Sequence, residues 1–516
     1  MVRLCLCLCL ALLLPWQGSW GHEGLLWFAN GQATAQAHQA VDFLADAASE
    51  GLDAGDYDAE GLRRALSDST PPDIAQADAR LTLAMARYLT DLHVGRIDPE
   101  LLGQRYDQPI DDAFDPIELL HRSVPENQLI SAIEQALPKL APYAALRRAL
   151  AQYRALIHHT AWLQPLPAYG ARPLKPGRPY LGLAQLAERL MALGDLASGA
   201  PVPALYEGAL VDAIRAYQLR HGLEVDGVIG PATFKSLNTP VTHRVRQLEI
   251  TLERLRWTPL LQSDRMVVIN IPEFVLRAYD IREGRIDMRA RMRVIVGKAL
   301  DTRTPIFDED MRFIEFSPYW NVPSSIALEE TVPKLRQDPG YFDEEGFEFV
   351  DADGQVLTAL TTAHIDALQR GALRIRQRPG PRNALGDIKF VFPNSDHIYL
   401  HHTPAPALFE KVRRDFSHGC IRVEDPVALA RFVLQDEPEW TEERIRETMA
   451  EGKSSTLRLR HPVRVLVAYA TVVVKDHGKI HFLPDLYDHD PWLDEALRQR
   501  QPFAEGSFRR LRPSKG

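Results

Sequence analysis

The 516-residue chain predicts a multidomain α+β protein. Apolar residues recur at helical spacing through most of residues 22 to 258, and afterwards within one insertion and after Asp425-Pro426. From Met266 the period shortens to that of strands, with turn signals between short β-rich runs. The length suits roughly three domains at about 150 residues each. The expected order is a helical scaffold (22–178), a small helical unit (179–240), a linker helix (241–258) and a mainly antiparallel β domain (259–516). A helical, lid-like insertion is expected within the last, over 323–381.

Composition narrows the class. Charged residues at 25% and hydrophobic residues at 45% describe an ordinary globular chain. A net charge of −9 argues against a general nucleic-acid binder. At the N-terminus, Arg3 precedes an apolar run from Leu4 to Leu14, and Ser19-Trp20-Gly21 offers small residues for cleavage. The run is about half the ~20 residues a spanning helix needs. Residues 1–21 therefore read as a removable export signal, leaving His22 as the expected first residue.

His38 to Glu50 carries Val41, Leu44 and Ala48 at helical spacing, and Gly51 ends it. Ala79 to His93 places Leu81, Met85, Tyr88, Leu89 and Leu92 on one stripe, stopped by Gly95. Asn127 to Ala161 is helical with breaks expected at Pro138 and Pro142. In the small unit, Leu183, Leu186, Leu190 and Leu193 begin one helix and Leu210 to Leu219 a second. Gly222-Leu223, Asp226-Gly227, Gly230-Pro231, Thr233 and Leu237 then follow, with Pro231 able to open a third helix. Thr242 to Trp257 is amphipathic through Val245, Leu248, Leu252 and Leu255. Strands are expected at Met266–Ile271, Val275–Tyr279, Met292–Gly297, Phe313–Phe316, Lys389–Phe392 and Ile398–His401. Val463–Val474 and Lys479–Phe482 should close the sheet. Ser324–Leu335 and Ala363–Ala372 supply the helices of the insertion.

Chemistry concentrates at Ser417-His418-Gly419-Cys420-Ile421-Arg422. Cys5, Cys7 and Cys9 all lie in the export signal, so the mature chain would keep Cys420 as its one thiol. Exported cysteines normally pair, and here there is no partner within the chain. His401, His402 and His418 lie nearby in sequence. A thiol beside imidazole is the material of a cysteine nucleophile, because the thiolate attacks and the ring takes its proton. Gly419 lets the backbone approach closely before the thiol. A helical signal from Asp425-Pro426 would place Cys420 just ahead of a helix start. Zinc is the competing reading of His401, His402, His418 and Cys420. Adjacent strand residues diverge, however, and no second mature cysteine exists, so neither metal nor cofactor is expected.

The turn Ser417–Cys420 with an upstream histidine resembles the signature of L,D-transpeptidases with a YkuD-type catalytic domain. The likeness extends to Met292–Lys298, Pro318–Pro323, Asn383–Asn394 and Tyr399–Pro404. The pattern from Gly222 to Leu237 resembles a helical peptidoglycan-binding module, and the whole order is similar to the large periplasmic YcbB type. The resemblance implies Cys420 as nucleophile and His401 as general base. Gly419 and Cys420 amides would hold the oxyanion, with His418 shaping that site. Ser417, Arg422, Tyr399, Tyr319, Trp320 and Asn321 are substrate-site candidates. The family usually has Asp or Gly where this chain has His402. The implied reaction joins a tetrapeptide stem donor to the amine of a second diaminopimelate residue, releasing D-alanine and leaving a 3→3 cross-link. Wall biogenesis, cell shape, carbapenem sensitivity and cell-wall synthesis partners come with the same resemblance. A hydrolase on the same stems and a non-enzymatic wall-binding scaffold are the other functional classes. Water in place of the amine distinguishes the first, and a dispensable Cys420 the second.

Overall fold

The computed structural model describes residues 24–67, 71–106, 114–170, 172–260, 263–282, 285–300, 302–475 and 478–500. The expected export signal lies outside them. The described residues form two compact units. The first comprises 24–46, 54–89 and 114–135, and the second everything else.

In the first unit Thr34 caps a helix over Ala35–Ala45 through its hydroxyl, and Asp115 caps Pro116–Ser123. A helix beginning at Pro71 and ending at Val94 contributes Leu81, Ala84, Met85 and Leu89 to the interior. Trp27 is fully buried, donating its N–H to Asp78 and its indole Nε1–H to Thr82. The expected helical scaffold of 22–178 is thus divided: residues 47–53, 90–106 and 136–178 group with the C-terminal elements. Pro142 does not break a helix. It sits in the first turn of Ala141–Ala155, where its missing N–H costs nothing.

In the second unit the small helical region folds as Leu183–Ala192, Ala209–Arg220 and Pro231–Leu237. Its core collects Leu186, Leu190, Tyr206, Leu210, Ile214 and Ile229. Buried Gln218 bonds Asp226, Val228, Thr233 and Gly227, which explains why the Asp226-Gly227 turn precedes Thr233. The helix Val241–Arg256 buries Val245, Leu248 and Leu252 against Tyr143, Leu146 and Leu150 of Ala141–Ala155.

The β region is a nine-stranded sheet. Its strands are β1 (Arg265–Asn270), β2 (Val275–Arg282), β3 (Arg285–Gly297), β4 (Phe307–Phe316), β5 (Ile388–Val391), β6 (Leu400–His401), β7 (Asp415–Ser417), β8 (Ile421–Val423) and β9 (Ser455–Ala468). They are ordered β7-β3-β8-β6-β5-β4-β9-β1-β2, and β3 also pairs with β2, closing the ladder on itself. Most pairings are antiparallel; β6–β8, β7–β3 and β9–β1 are parallel. Alternate residues Val294, Val296, Ile314, Phe316, Ile388, Phe390, Leu400, Ile421 and Val423 fill one core.

Two expectations are corrected. Val472–Lys475 and Lys479–Phe482 do not close the sheet. They form a separate hairpin whose Val472 and Phe482 pack on the helices at 141–155 and 241–256. The insertion has its expected helices but also a four-stranded sheet built from Trp320–Asn321, Phe347–Val350, Val356–Leu357 and Arg374–Gln377. It therefore begins before Pro323. Among the described residues no helix is long and apolar enough to cross a membrane.

Candidate active site

Strand register assembles the site. His401 pairs with Arg422 across β6 and β8, and with Lys389 across β6 and β5. Paired residues face the same side of a sheet, as do residues two apart along a strand. Tyr399 precedes His401 by two, and Cys420 precedes Arg422 by two. Register sets Lys389, His401 and Arg422 on one face; Tyr399, 5.8 Å from the His401 ring, and Cys420, in contact with Tyr399, join them from just outside the strands, while Leu400 and Ile421 turn into the core.

The nucleophile turn is tightly tied. Ser417 is buried, donating its hydroxyl to the Cys420 carbonyl at 2.6 Å and accepting the Gly419 N–H at 3.3 Å. The Ser417 carbonyl accepts from Lys298 N–H and from the Thr302 hydroxyl. The Gly419 carbonyl accepts from the buried Thr304 hydroxyl at 2.7 Å. Gly419 has φ +111, a conformation that strains any other residue, and a Cβ there would also stand 3.2 Å from the Ile398 side chain. With the Gly419 N–H directed at Ser417, the Cys420 N–H is the amide of the pair with no protein acceptor among the described residues. The expected helix start does not adjoin the thiol. β8 intervenes, and Asp425 caps the helix Pro426–Val433.

The Cys420 sulfur faces the His397 carbonyl at 3.7 Å and the Tyr399 hydroxyl, rather than an imidazole. Burial pushes its thiol up, while contacts to Tyr399 and the charges of Lys389 and Arg422 pull the other way. His401 is 4% exposed, with Nδ1–H donating to the His402 carbonyl at 2.6 Å. Burial first, then the Arg422 charge, lower its pKa to about 3. The resting pair is thus a thiol and a neutral imidazole, which can accept a proton. Arg422 is held below its usual range by burial, and its Nε has no hydrogen-bond partner. Lys389 pairs with Glu315 at 3.1 Å and lies 4.3 Å from the Tyr399 ring centroid.

The remaining candidates lie elsewhere. His402 turns away from β6 and bonds Asp387 at 2.7 Å. His418 bonds Glu330 of the insertion at 2.6 Å. Trp320 and Asn321 pair with Gln377 and Arg376 in the insertion sheet, and Tyr319 lies under the Arg376 guanidinium, 4.1 Å from ring centroid to carbon. Sequence reading missed Lys389, Thr304, the His397 carbonyl and Arg105. Arg105 bonds Ser395 and pairs with Asp396, tethering the loop that presents His397. The Lys389–His401 register was readable once both strands were placed; Arg105 carried no local signal. Among the described residues no cluster of three or more His, Cys, Asp or Glu could hold a metal ion.

Residues 264–464, which contain this site, match the YkuD family, the L,D-transpeptidase catalytic domain. Residues 182–237 match a family described as "Putative peptidoglycan binding domain", and 22–150 match a scaffold domain. A Haemophilus influenzae protein described as "Putative L,D-transpeptidase" is 34% identical over 251 residues, 49% of each chain. The chain thus spans about half the length of that curated relative in the match. The helical cell shape determining protein Pgp2 of Campylobacter jejuni is a similar solved structure at 12% identity, covering 42% of this chain and 50% of that one, with a TM-score of 0.17. A fused Zn-dependent amidase/peptidase/peptidoglycan-binding protein of Clostridium acetobutylicum aligns at 10% identity, covering 58% and 99%, also at 0.17. Likeness at that TM-score carries no argument. Residues 264–464 are thus similar to the L,D-transpeptidase catalytic domain of the YkuD family, in one chain with a region similar to a "Putative peptidoglycan binding domain".

Proposed function

We propose that the chain is an exported peptidoglycan L,D-transpeptidase that forms 3→3 cross-links through a Cys420 thioester. The observation that carries this reading is the shared sheet face of Cys420, His401, Tyr399 and Arg422 within the matched catalytic domain. Rotation of the thiol away from the His397 carbonyl offers its proton to neutral His401. The sulfur adds to the diaminopimelate carbonyl of a tetrapeptide stem, and the Cys420 N–H meets the oxyanion. Collapse of that adduct returns the proton from His401 to the departing D-alanine amine. The side-chain amine of a second stem then attacks the thioester, gives a proton to His401 and releases the thiol. Arg422, with a buried unpartnered Nε, would take a substrate carboxylate. Peptidoglycan is the substrate, the periplasm the compartment, and cell-wall synthesis proteins the expected partners.

Mass spectrometry of the purified protein with disaccharide-tetrapeptides tests this. Dimers lacking one D-alanine are expected. Tripeptides alone would make the protein a hydrolase instead, and no turnover would overturn the reading. N-terminal sequencing of exported protein should begin at or near His22.

A further inference from the structure

The strand that carries His401 is entered through a loop with a strained backbone. His397 has φ +56, a left-handed conformation that residues other than glycine seldom adopt. Its side chain is exposed, so packing of the ring does not select this shape. In this conformation the His397 carbonyl lies 3.7 Å from the Cys420 sulfur. Among the described residues that oxygen accepts no N–H. Strain held beside a reactive group points to a use for it.

The loop is locked from two sides. Asn394 Oδ1 accepts the Asp396 and Ile398 N–H groups at 3.1 and 3.0 Å. Its Nδ2 donates to the Phe392 and Ile398 carbonyls, both at 2.7 Å. Arg105 donates to the Ser395 hydroxyl at 2.6 Å and pairs with Asp396. Its own peptide is laid beside β4, with its N–H on the Ile306 carbonyl at 3.1 Å and its carbonyl taking the Asp308 N–H at 3.2 Å. Arg105 stands outside the 264–464 stretch that matches the catalytic family. These ties leave the His397 peptide little freedom to turn.

In the thiol state the S–H is the donor to this oxygen. A thioester has no S–H, so acylation of Cys420 leaves a fixed acceptor beside the reacting carbon. The group that attacks there is a neutral amine with two N–H bonds. Its nitrogen gains positive charge as the C–N bond forms. One proton passes to His401, the C–S bond breaks, and the departing thiolate recovers that proton. The second N–H needs an acceptor while the charge develops, and a carbonyl dipole already in place supplies one without reorganisation. D-alanine departs from the same position in the first half of the reaction. Water loses its proton as it attacks, so less charge builds on its oxygen and it needs this acceptor less.

We propose that the His397 carbonyl accepts the amine N–H in both amine steps, and that Arg105 is a positioning residue for that carbonyl. The proposal rests on the cysteine-transferase reading given above.

Two readouts test it on the full-length protein. In the first, the thioester formed from a tetrapeptide is divided between added diaminopimelate and water, and mass spectrometry gives the ratio of transfer to hydrolysis. His397→Val disfavours φ +56 and should lower that ratio about 10-fold, the effect of one hydrogen bond to a developing charge. His397→Gly accepts that φ and should restore the ratio although the imidazole is gone. Arg105→Ala should lower it as well, and carries the same test if His397→Val does not fold. Iodoacetamide alkylation of Cys420 should not slow in these variants, whereas general damage to the turn would move alkylation and both product paths together. The second readout needs no turnover. Cys420 is capped with methyl methanethiosulfonate, which removes the S–H, and diaminopimelate is titrated in by calorimetry. The capped parent and His397→Gly should bind it about 10-fold more tightly than His397→Val. An unchanged ratio in His397→Val, or an equal loss in His397→Gly, would overturn the proposal. A parent that releases no D-alanine would overturn the transferase reading instead, and equal affinities of the capped parent and His397→Val would then overturn the role of the carbonyl.

Discussion

Thr304→Val isolates what holds the nucleophile turn against the sheet. Thr304 is 1% exposed, and its hydroxyl makes two hydrogen bonds. It donates to the Gly419 carbonyl at 2.7 Å and accepts the Gly297 N–H at 2.9 Å. Gly297 packs closely here: a Cβ on it would lie 1.9 Å from the Thr302 carbonyl. Its own carbonyl is taken by the Tyr487 hydroxyl at 2.7 Å, and burial pushes that phenol up to about 12, so it stays a donor through neutral pH. Valine matches threonine in shape but strands one buried donor and one buried acceptor. At about 1–3 kcal/mol for each unsatisfied group, the variant should lose about 2–6 kcal/mol. Part of that loss would appear as local opening around Gly419 rather than global unfolding. Urea unfolding followed by tryptophan fluorescence measures the first part, and the iodoacetamide alkylation rate of Cys420 the second. Thr304→Ser keeps the hydroxyl and should recover most of both. A Thr304→Val protein within about 0.5 kcal/mol of the parent, with the same alkylation rate, would refute the reasoning.

Cys420→Ala should abolish D-alanine release and carbapenem adducts while leaving the fold intact; a persistent adduct by intact-mass analysis would remove Cys420 as nucleophile. In stopped-flow acylation by a carbapenem, His401→Ala should lose about 10²–10⁴-fold as a general base. His402→Ala should lose least, and His418→Ala should fall between, because its ring is tied to Glu330 rather than placed beside the sulfur. Acid should destabilise the protein through its buried histidines. His401 sits at about 3, and His481 and His489 at about 4, against an ordinary 6.5, in each case mainly through burial. The unfolded chain binds these protons first, so their contribution to stability is complete above pH 6.5 and is lost as pH falls toward 4 and 3. Thermal melts at pH 7.5 and 5 should differ in that direction, and His481→Gln should reduce the difference. Equal melting temperatures would contradict these assignments.

Much of this architecture was legible because it is written locally. Pro231 opens a helix where the sequence places it, in the first turn. Asp226-Gly227 and Gly230-Pro231 punctuate the small helical unit as turn chemistry requires. The hairpin at 472–482 was misplaced because its residues suit a half-buried strand anywhere; only packing on Tyr153 and Leu252 decides which surface covers Val472 and Phe482. Trp320 and Asn321 were read as substrate-site candidates from the Pro318–Pro323 stretch that carries the resemblance. Their backbone partners, Gln377 and Arg376, lie more than fifty positions away.

The sequence by itself determined the chemistry available: one thiol outside the leader-like segment, a glycine before it, histidines upstream and a helical module of recognisable spacing. Period-two alternation also separated His401 from His402 without any coordinates. Tertiary structure decided which of these groups meet. Register across β5, β6 and β8 set Lys389, His401 and Arg422 on the face that carries Cys420, and burial there made the imidazole neutral. Thr304, Tyr487 and Arg105 enter from segments about 70 to 315 positions away from the thiol turn. Such contacts depend on how strands and loops pack in three dimensions, and neither propensity nor spacing within a segment encodes them.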